Sequence, residues 1–302
     1  MKKNKSLIKR FIPVFAIAST AILLASCPKV EKDPYEIGDQ TGGELLELIH
    51  MNMLRDHTKY VTYSSYASYE SSSNGKTPID AYSASNKKIV DFYTGKQMNS
   101  YDSTMTREHV WACANSANLW THNSSDGSHY VDGTGYKGGG SDLYHVRPEI
   151  REINTIRGNA KLYVFAADET PKYVLPGYST PYKITTDKDD EFSNRFEPAD
   201  QIKGDMARII MYVYTHYTNI GDNSVVSDTV RSYLGSLDLK SIFFASYSLD
   251  KVHQLLVEWN ELDPVDETEK LRNDTVEAIQ GNRNPYVDHP EYIRKIWMPE
   301  DE

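Results

Sequence analysis

Cysteine is almost absent: Cys27 and Cys113 are the only two in 302 residues. A disulfide framework of the kind that staples small secreted folds is therefore excluded. Stability has to come from a packed core, which the roughly 260 residues beyond the N-terminal segment can supply. Long apolar runs are missing too, since the longest, Phe11 to Ala25, falls short of the roughly 20 residues that span a bilayer. There is no internal repeat, no CxxC or HxxxH pair and no Walker pattern. Basic residues are scarce, 33 against 43 acidic ones, for a formal net charge of −10. By itself that balance argues against a nucleic-acid partner. With 39% hydrophobic and 25% charged residues, collagen-like, coiled-coil and disordered chains are excluded as well.

What is present begins with a basic segment of ten residues, followed by the apolar run and by Leu24-Ala25-Ser26-Cys27. Such an order reads as a signal peptide over residues 1–26, ending in a lipobox. Cleavage before Cys27 leaves that thiol to carry the lipid, so the mature chain is anchored to a membrane and does not span it. Residues 27–42 are polar and without period, a tether. Residues 43–302 then form one domain, with no second linker. The expected class is α+β, mainly helical.

Helical spacing puts Leu45, Leu48, Ile49 and Met53 on one face of a helix over 43–56. The same reasoning gives a helix over 205–217 with Met206, Ile209, Ile210, Val213 and Tyr217 inward. It gives another with Leu249, Val252, Leu256 and Trp259 inward. Asp266 and Glu269 resemble a capping-box start, and Gly281 marks that helix's end. Tyr60, Tyr63, Tyr66 and Tyr69, three apart, read as one half-buried helical face rather than a base-stacking platform. Strand candidates are Met105–Trp111, Leu162–Phe165, Tyr173–Leu175 and Tyr182–Ile184, and 122–141 reads as a long loop ending in Gly138-Gly139-Gly140. Cys113 is read as a small buried hydrophobe rather than a nucleophile.

Two segments carry chemistry. Thr106-Arg107-Glu108-His109-Val110-Trp111 is the first. The second is Ser141-Asp142-Leu143-Tyr144-His145-Val146-Arg147-Pro148, which runs into Arg151 to Asn159. Pro148 suits a first helical turn and Gly158 a helix stop, so Asn154 and Arg157 share one face of a short helix. A carboxylate and an amide oxygen suit a hard cation such as Mg²⁺, a neutral imidazole can take a proton from water, and arginine meets phosphate in a bidentate manner. Glu108 and His109 are neighbours, however, and a regular strand would point them to opposite sides. Serving one site requires a strand end, a bulge or an irregular turn there.

At these residues the chain resembles the bacterial endonuclease I family of ββα-metal (His-Me finger) nucleases. Six blocks carry the resemblance in order: REHVW at 107–111, SDLYHVRP at 141–148, REINTIRGN at 151–159, FEPADQIKGDMAR at 196–208, LLVEWNELDPVDETEKLRN at 255–273 and QGNRNPYVDHPEYIRKIW at 280–297. The resemblance implies a small ββα-metal core inside the helical domain and sequence-independent cleavage of DNA and often RNA. The implied cofactor is a divalent metal, usually Mg²⁺, with Mn²⁺ or Ca²⁺ as substitutes. It makes His109 the general base, with activity falling on the acid side of the histidine titration, and Glu108 and Asn154 the metal ligands. Arg157 joins His109 as a catalytic residue that supports the phosphate or the site's geometry. Asn159 and Arg107 belong to the substrate surroundings, and His145 supports from behind. Glu197, Lys203, Asp205, Arg208, Arg283 and Asn284 match family blocks with a structural role. One departure stands out: the family's REHVW is usually followed by Pro, where this chain has Ala112.

Two other classes are compatible with the residues. One is a zinc site of His109, Cys113, His129 and His145. The other is a surface-binding lipoprotein without activity. A monomer in the cell envelope or outside it, with no protein partner, is the expected state. The charge itself is uneven. Residues 1–26 hold five basic residues and no acid, so the remainder carries −15. The stretch 137–161 holds Lys137, Arg147, Arg151, Arg157 and Lys161 against three acids, a local +2 around the proposed active helix. A polyanion would then be held loosely, at one cleft, with a shallow salt dependence.

Overall fold

A computed structural model describes residues 35, 37–116, 119, 138–175, 182–185, 194–225, 227, 231 and 234–299. The signal segment, Cys27, most of the tether, His129 and the loop up to residue 137 lie outside the described residues. Eight helices are used below: α1 Gly42–Asp56, α2 Tyr66–Tyr69, α3 Arg151–Arg157, α4 Lys203–Tyr217, α5 Leu249–Leu262, α6 Glu267–Gln280, α7 Pro285–Asp288 and α8 Glu291–Trp297. With several small sheets between them, the class is α+β.

The centre of the core is α4. Met206, Ile210, Met211, Tyr212 and Val213 are fully buried, and so are Arg208, Thr215 and His216, so this helix is enclosed on nearly every side. The expected one-sided stripe understates it. Arg208 is tolerable there because it pairs with Glu269 and Asp205 and donates to Asn260 and the Asp263 carbonyl. Helix α1 buries Leu45, Leu46, Ile49, His50, Met53 and Leu54, while Leu48, assigned inward by its spacing, is exposed. Leu249, also assigned inward, is exposed at the first position of α5. Helix α6 begins where Asp266 accepts the Glu269 amide (2.8 Å) and stops at Gly281 in the left-handed region, φ +94°.

The sheets are short. β1 (Ile89–Val90) pairs with β2 (Gln97–Met98), and β3 (Met105–His109) pairs antiparallel with β4 (Val146–Ile150). A four-stranded sheet runs in the order β5 (Lys161–Leu162), β8 (Arg195–Glu197), β7 (Tyr182–Thr185), β6 (Tyr173–Leu175), parallel only between β5 and β8. Pro148 does not open a helix. It lies in β4 opposite Arg107, and its carbonyl accepts the Phe92 amide at 3.0 Å. A two-stranded sheet has only edges, so a missing ladder donor is tolerated there. The tyrosine series is likewise no single helical face. Only Tyr66 and Tyr69 lie in α2; Tyr63 opens a 3₁₀ turn that runs directly into it, where the tighter winding changes the face, and Tyr60 precedes the turn.

Candidate active site

Strand β3, strand β4 and helix α3 form a ββα unit, and each candidate side chain leaves it in a definite direction. Alternation along β3 puts Arg107 and His109 on one face and Glu108 on the other. His109 is the last residue of the strand, so the pair sits at a strand end, as its shared role requires. Beyond it the chain turns through Val110, Trp111 and Ala112 into a 3₁₀ turn, Cys113–Asn115, which brings the Cys113 Sγ back to 3.3 Å from His109 Nδ1. Ala112 has φ −53°, inside the range a proline ring imposes, so this turn keeps the shape without the proline.

Glu108 is buried, and its charge is met from three sides. Tyr93 donates its hydroxyl to Oε1 (2.5 Å), Asn154 donates Nδ2 to Oε2 (2.5 Å), and the Arg157 guanidinium lies 3.2 Å from Oε1. Burial raises the carboxyl's pKa, while Arg157 and the Tyr93 hydrogen bond pull it down. Asn154 reaches Glu108 from α3, whose Gly158 cap (φ +51°) returns its amide to the Asn154 carbonyl at 2.8 Å. Turned about its last bond, the Asn154 amide presents oxygen beside a carboxylate oxygen. Two hard donors on adjoining elements then suit Mg²⁺, Mn²⁺ or Ca²⁺ rather than a thiophilic ion.

His109 is held on both ring nitrogens. Nε2 lies 2.7 Å from the Gly140 carbonyl, which can only accept, so that nitrogen carries the proton and Nδ1 is the free base. The ring stacks on Tyr63 (5.4 Å, 13° between planes), and Tyr63 in turn has the Arg107 guanidinium 3.8 Å from its ring centre. Arg107 also donates to the Tyr63 carbonyl at 2.8 Å. Burial, first of all, pushes the His109 pKa down to about 4; the Gly140 hydrogen bond opposes it, and the charges of Arg107 and Arg157 add smaller lowering effects. Burial also pushes the Cys113 thiol up to about 12, so it is a poor nucleophile.

His145 is fully buried and fixed in one tautomer, donating from Nδ1 to the Gly139 carbonyl (2.6 Å) and accepting the Trp111 amide at Nε2 (3.0 Å). Both of its nitrogens are spent, which removes it from a zinc site with His109 and Cys113. It holds the turn beyond β3 against Gly138–Gly140, whose consecutive carbonyls at 139 and 140 fix both histidines. Burial takes its pKa down to about 3. Arg157 is buried as well: its guanidinium donates to the Val110 and Gly158 carbonyls, both at 2.9 Å, besides pairing with Glu108. Asn159 lies half-buried just past α3 rather than on it.

The expected site residues Glu108, His109, Asn154 and Arg157 are thus brought together, with Arg107 and His145 behind them. Tyr63, Tyr93 and Cys113 join them and were not assigned to the site from sequence. The tyrosine spacing drew attention to Tyr63, but as packing. Glu197 and Lys203 pair at 2.9 Å, Arg283 pairs with Asp274, Glu277 and Asp288, and Asn284 caps α7 at the Tyr286 amide, all structural roles.

This ββα unit gathers glutamate and histidine at its strand end and asparagine and arginine on its helix. The chain belongs to the Endonuclease I family, whose model matches residues 39–291. Over 280 residues it is 29% identical to an extracellular ribonuclease of Bacillus subtilis, covering 90% of this chain and 81% of that protein. Identity to an extracellular ribonuclease of Bacillus amyloliquefaciens is also 29%, over 94% of this chain and 84% of that protein. An Endonuclease-1 of Buchnera aphidicola is 28% identical over about half of each chain, 49% and 46%. The chain is a nuclease.

Proposed function

We propose that this nuclease hydrolyses phosphodiester bonds of DNA and RNA without sequence preference, using a divalent metal at Glu108 and Asn154. The observation that carries the reading is His109, a neutral imidazole with one nitrogen fixed as donor by Gly140, at the strand end that also bears Glu108. His109 Nδ1 takes the proton of the attacking water, the work of a general base. Glu108 and Asn154 would hold the cation, which would supply charge neutralisation at the scissile phosphate and the leaving oxygen; attack of the water at phosphorus with departure of the 3′-oxygen leaves a 5′-phosphate and a 3′-hydroxyl. Tyr93 and Arg157 orient Glu108, and Arg157 also ties the strand end through Val110, so it acts as a positioning residue rather than a free phosphate clamp. Tyr63 keeps the His109 ring in plane, with Arg107 stiffening Tyr63. Relatives named extracellular ribonuclease support RNA as a substrate, and one named Endonuclease-1 supports internal cleavage.

The same reading places the protein outside the cytoplasm, secreted and held by lipid on Cys27. It is supported by the lipobox and by relatives named extracellular. The test is digestion of plasmid DNA and of RNA with Mg²⁺ and with EDTA. His109→Ala is expected to lower the rate at least 100-fold with unchanged circular dichroism, and Glu108→Ala to raise the Mg²⁺ requirement. Digestion at the wild-type rate by His109→Ala would sink the assignment. Cys27→Ser should move the protein from the membrane fraction to the medium.

A further inference from the structure

A second cluster of ligand-type side chains lies away from Glu108 and Asn154. His57 follows α1 directly, His216 sits in the last turn of α4, and Asp142 is in the turn after Gly138–Gly140. Three segments distant in sequence thus converge, and one ligand atom from each lies within 4.8 Å of the others, all three residues buried. His57 Nδ1 is 2.8 Å from His216 Nε2 and 4.0 Å from Asp142 Oδ2.

The hydrogen bonds fix what these atoms carry. His57 Nε2 faces the Lys59 carbonyl at 3.1 Å, so it holds the proton and Nδ1 is an acceptor, which without a metal takes the His216 Nε2 proton at 2.8 Å. A hydrogen bond from the far nitrogen of a histidine to a carbonyl is also the usual support of a metal-bound imidazole. His216 Nδ1 is buried with no hydrogen-bond partner, so neither tautomer of that ring is satisfied by protein alone. Asp142 is buried and well hydrogen-bonded, by the Tyr144 amide (2.8 Å), Gln280 (3.1 Å), Tyr212 (2.7 Å) and Tyr217 (2.6 Å). Those four donors are formally neutral, and among the described residues no lysine or arginine pairs with it. Interior carboxylates are ordinarily balanced by a cation or a metal.

We propose that His57, Asp142 and His216 hold a divalent transition-metal ion of the zinc type, separate from the catalytic cation. Two nitrogens and one carboxylate oxygen are a borderline donor set that suits Zn²⁺ and not Mg²⁺. Tetrahedral zinc at about 2.0–2.1 Å puts neighbouring ligands about 3.3 Å apart, against 2.8 and 4.0 Å for the two pairs with His57 and no more than 4.8 Å for the third, a small rearrangement on binding. The ion ties α1, α4 and the Asp142 turn together. That turn follows the Gly139 and Gly140 carbonyls that fix His145 and His109, so its consequence for catalysis is positional.

The test is metal analysis of the purified full chain after expression with Zn²⁺, followed by thermal unfolding of EDTA-stripped protein with Zn²⁺ or Co²⁺ added back. About one zinc per chain is expected, with a raised Tm on re-addition. The double variant His109→Ala/Cys113→Ser must keep that zinc, and His57→Gln/His216→Gln must lose it. Should the second variant fail to fold, the wild-type Tm shift together with retention by the first decides. Absence of transition metal with an unmoved Tm, or zinc lost from the first variant, overturns the proposal.

Discussion

The pH dependence of hydrolysis tests the environment of His109 most directly. An imidazole of ordinary pKa, about 6.5, is only about one-tenth deprotonated at pH 5.5. With its pKa pushed down to about 4 by burial, His109 is still almost wholly the free base there. The proton-accepting form is then lost only through pH 4, and the acid limb lies about 2.5 units below the histidine titration expected from sequence. A cation at Glu108 adds positive charge and moves the limb further down, never up. Glu108 must itself be ionised to hold that cation, and its pKa is raised by burial. The two limbs separate by metal concentration, since one that keeps moving as Mg²⁺ rises belongs to Glu108 and one that is fixed at saturation belongs to His109. The assay is the initial rate on short duplex DNA from pH 4 to 8 at saturating Mg²⁺, with circular dichroism at each pH. That control is needed because the unfolded chain protonates His109 below 6.5 and the folded one only near 4. Stability from this residue is therefore complete above pH 6.5 and falls by about 3 kcal/mol on going down to pH 4. A midpoint near 6.5 with the protein folded would refute the reasoning.

Three substitutions follow from the same geometry. Tyr63→Ala removes both the ring stacked on His109 and the surface under Arg107; at about 1–2 kcal/mol for the two contacts, kcat should fall roughly 10-fold, and Tyr63→Phe should retain it. Cys113→Ala uncovers His109 Nδ1, so a hydrogen bond worth about 0.5–1.5 kcal/mol no longer competes with water, and kcat/KM should rise about 2- to 10-fold in steady-state assays. Gly281→Ala places a methyl 2.4 Å from Thr58 Oγ1 and 2.8 Å from the Asp56 carbonyl at a left-handed φ. Melting by circular dichroism should show a loss of about 2 kcal/mol, roughly 4–8 °C.

The parts of this molecule that could be read from sequence are those whose cause is local. Asp266 with Glu269 and Gly281 bound α6 because caps act within one turn. Glu108, His109, Asn154 and Arg157 were found because their residue types and order match a chemistry. What escaped depends on partners far along the chain. Tyr63 reaches His109 across 46 positions of sequence, and nothing in the tyrosine spacing distinguishes that contact from packing. Pro148 follows the rule for a helix start equally well whether or not a two-stranded sheet stands ready to use it as an edge residue. Leu48 and Leu249 fall on apolar stripes whose margins are exposed, because other elements do not extend over them. The sequence reads Cys113 as a small buried hydrophobe, while its position beside the base nitrogen is set by the turn after β3.

The charge of the molecule leads to its last expected property. The stretch 137–161 is net positive, yet its described cations are already engaged. Arg147 pairs with Asp80 (2.8 Å), and Arg151 donates to the Ser103 and Met105 carbonyls. Arg157 is spent on Val110, Gly158 and Glu108, and Lys161 on Asn115 and Ser241. Guanidiniums held this way fix the frame of the site and add little to the grip on a polymer. With a net charge of −15 beyond residue 26, additional phosphates along the strand meet repulsion rather than lysine. Binding then rests on the bound cation and one or two direct contacts, and each phosphate neutralised adds about 0.9 to the slope of log K against log salt on duplex DNA. A slope magnitude of about 2 or less is expected for His109→Ala with duplex DNA in Mg²⁺ at 50–200 mM salt. A slope of 6 or more would mean a basic track on the surface that these paired arginines do not provide.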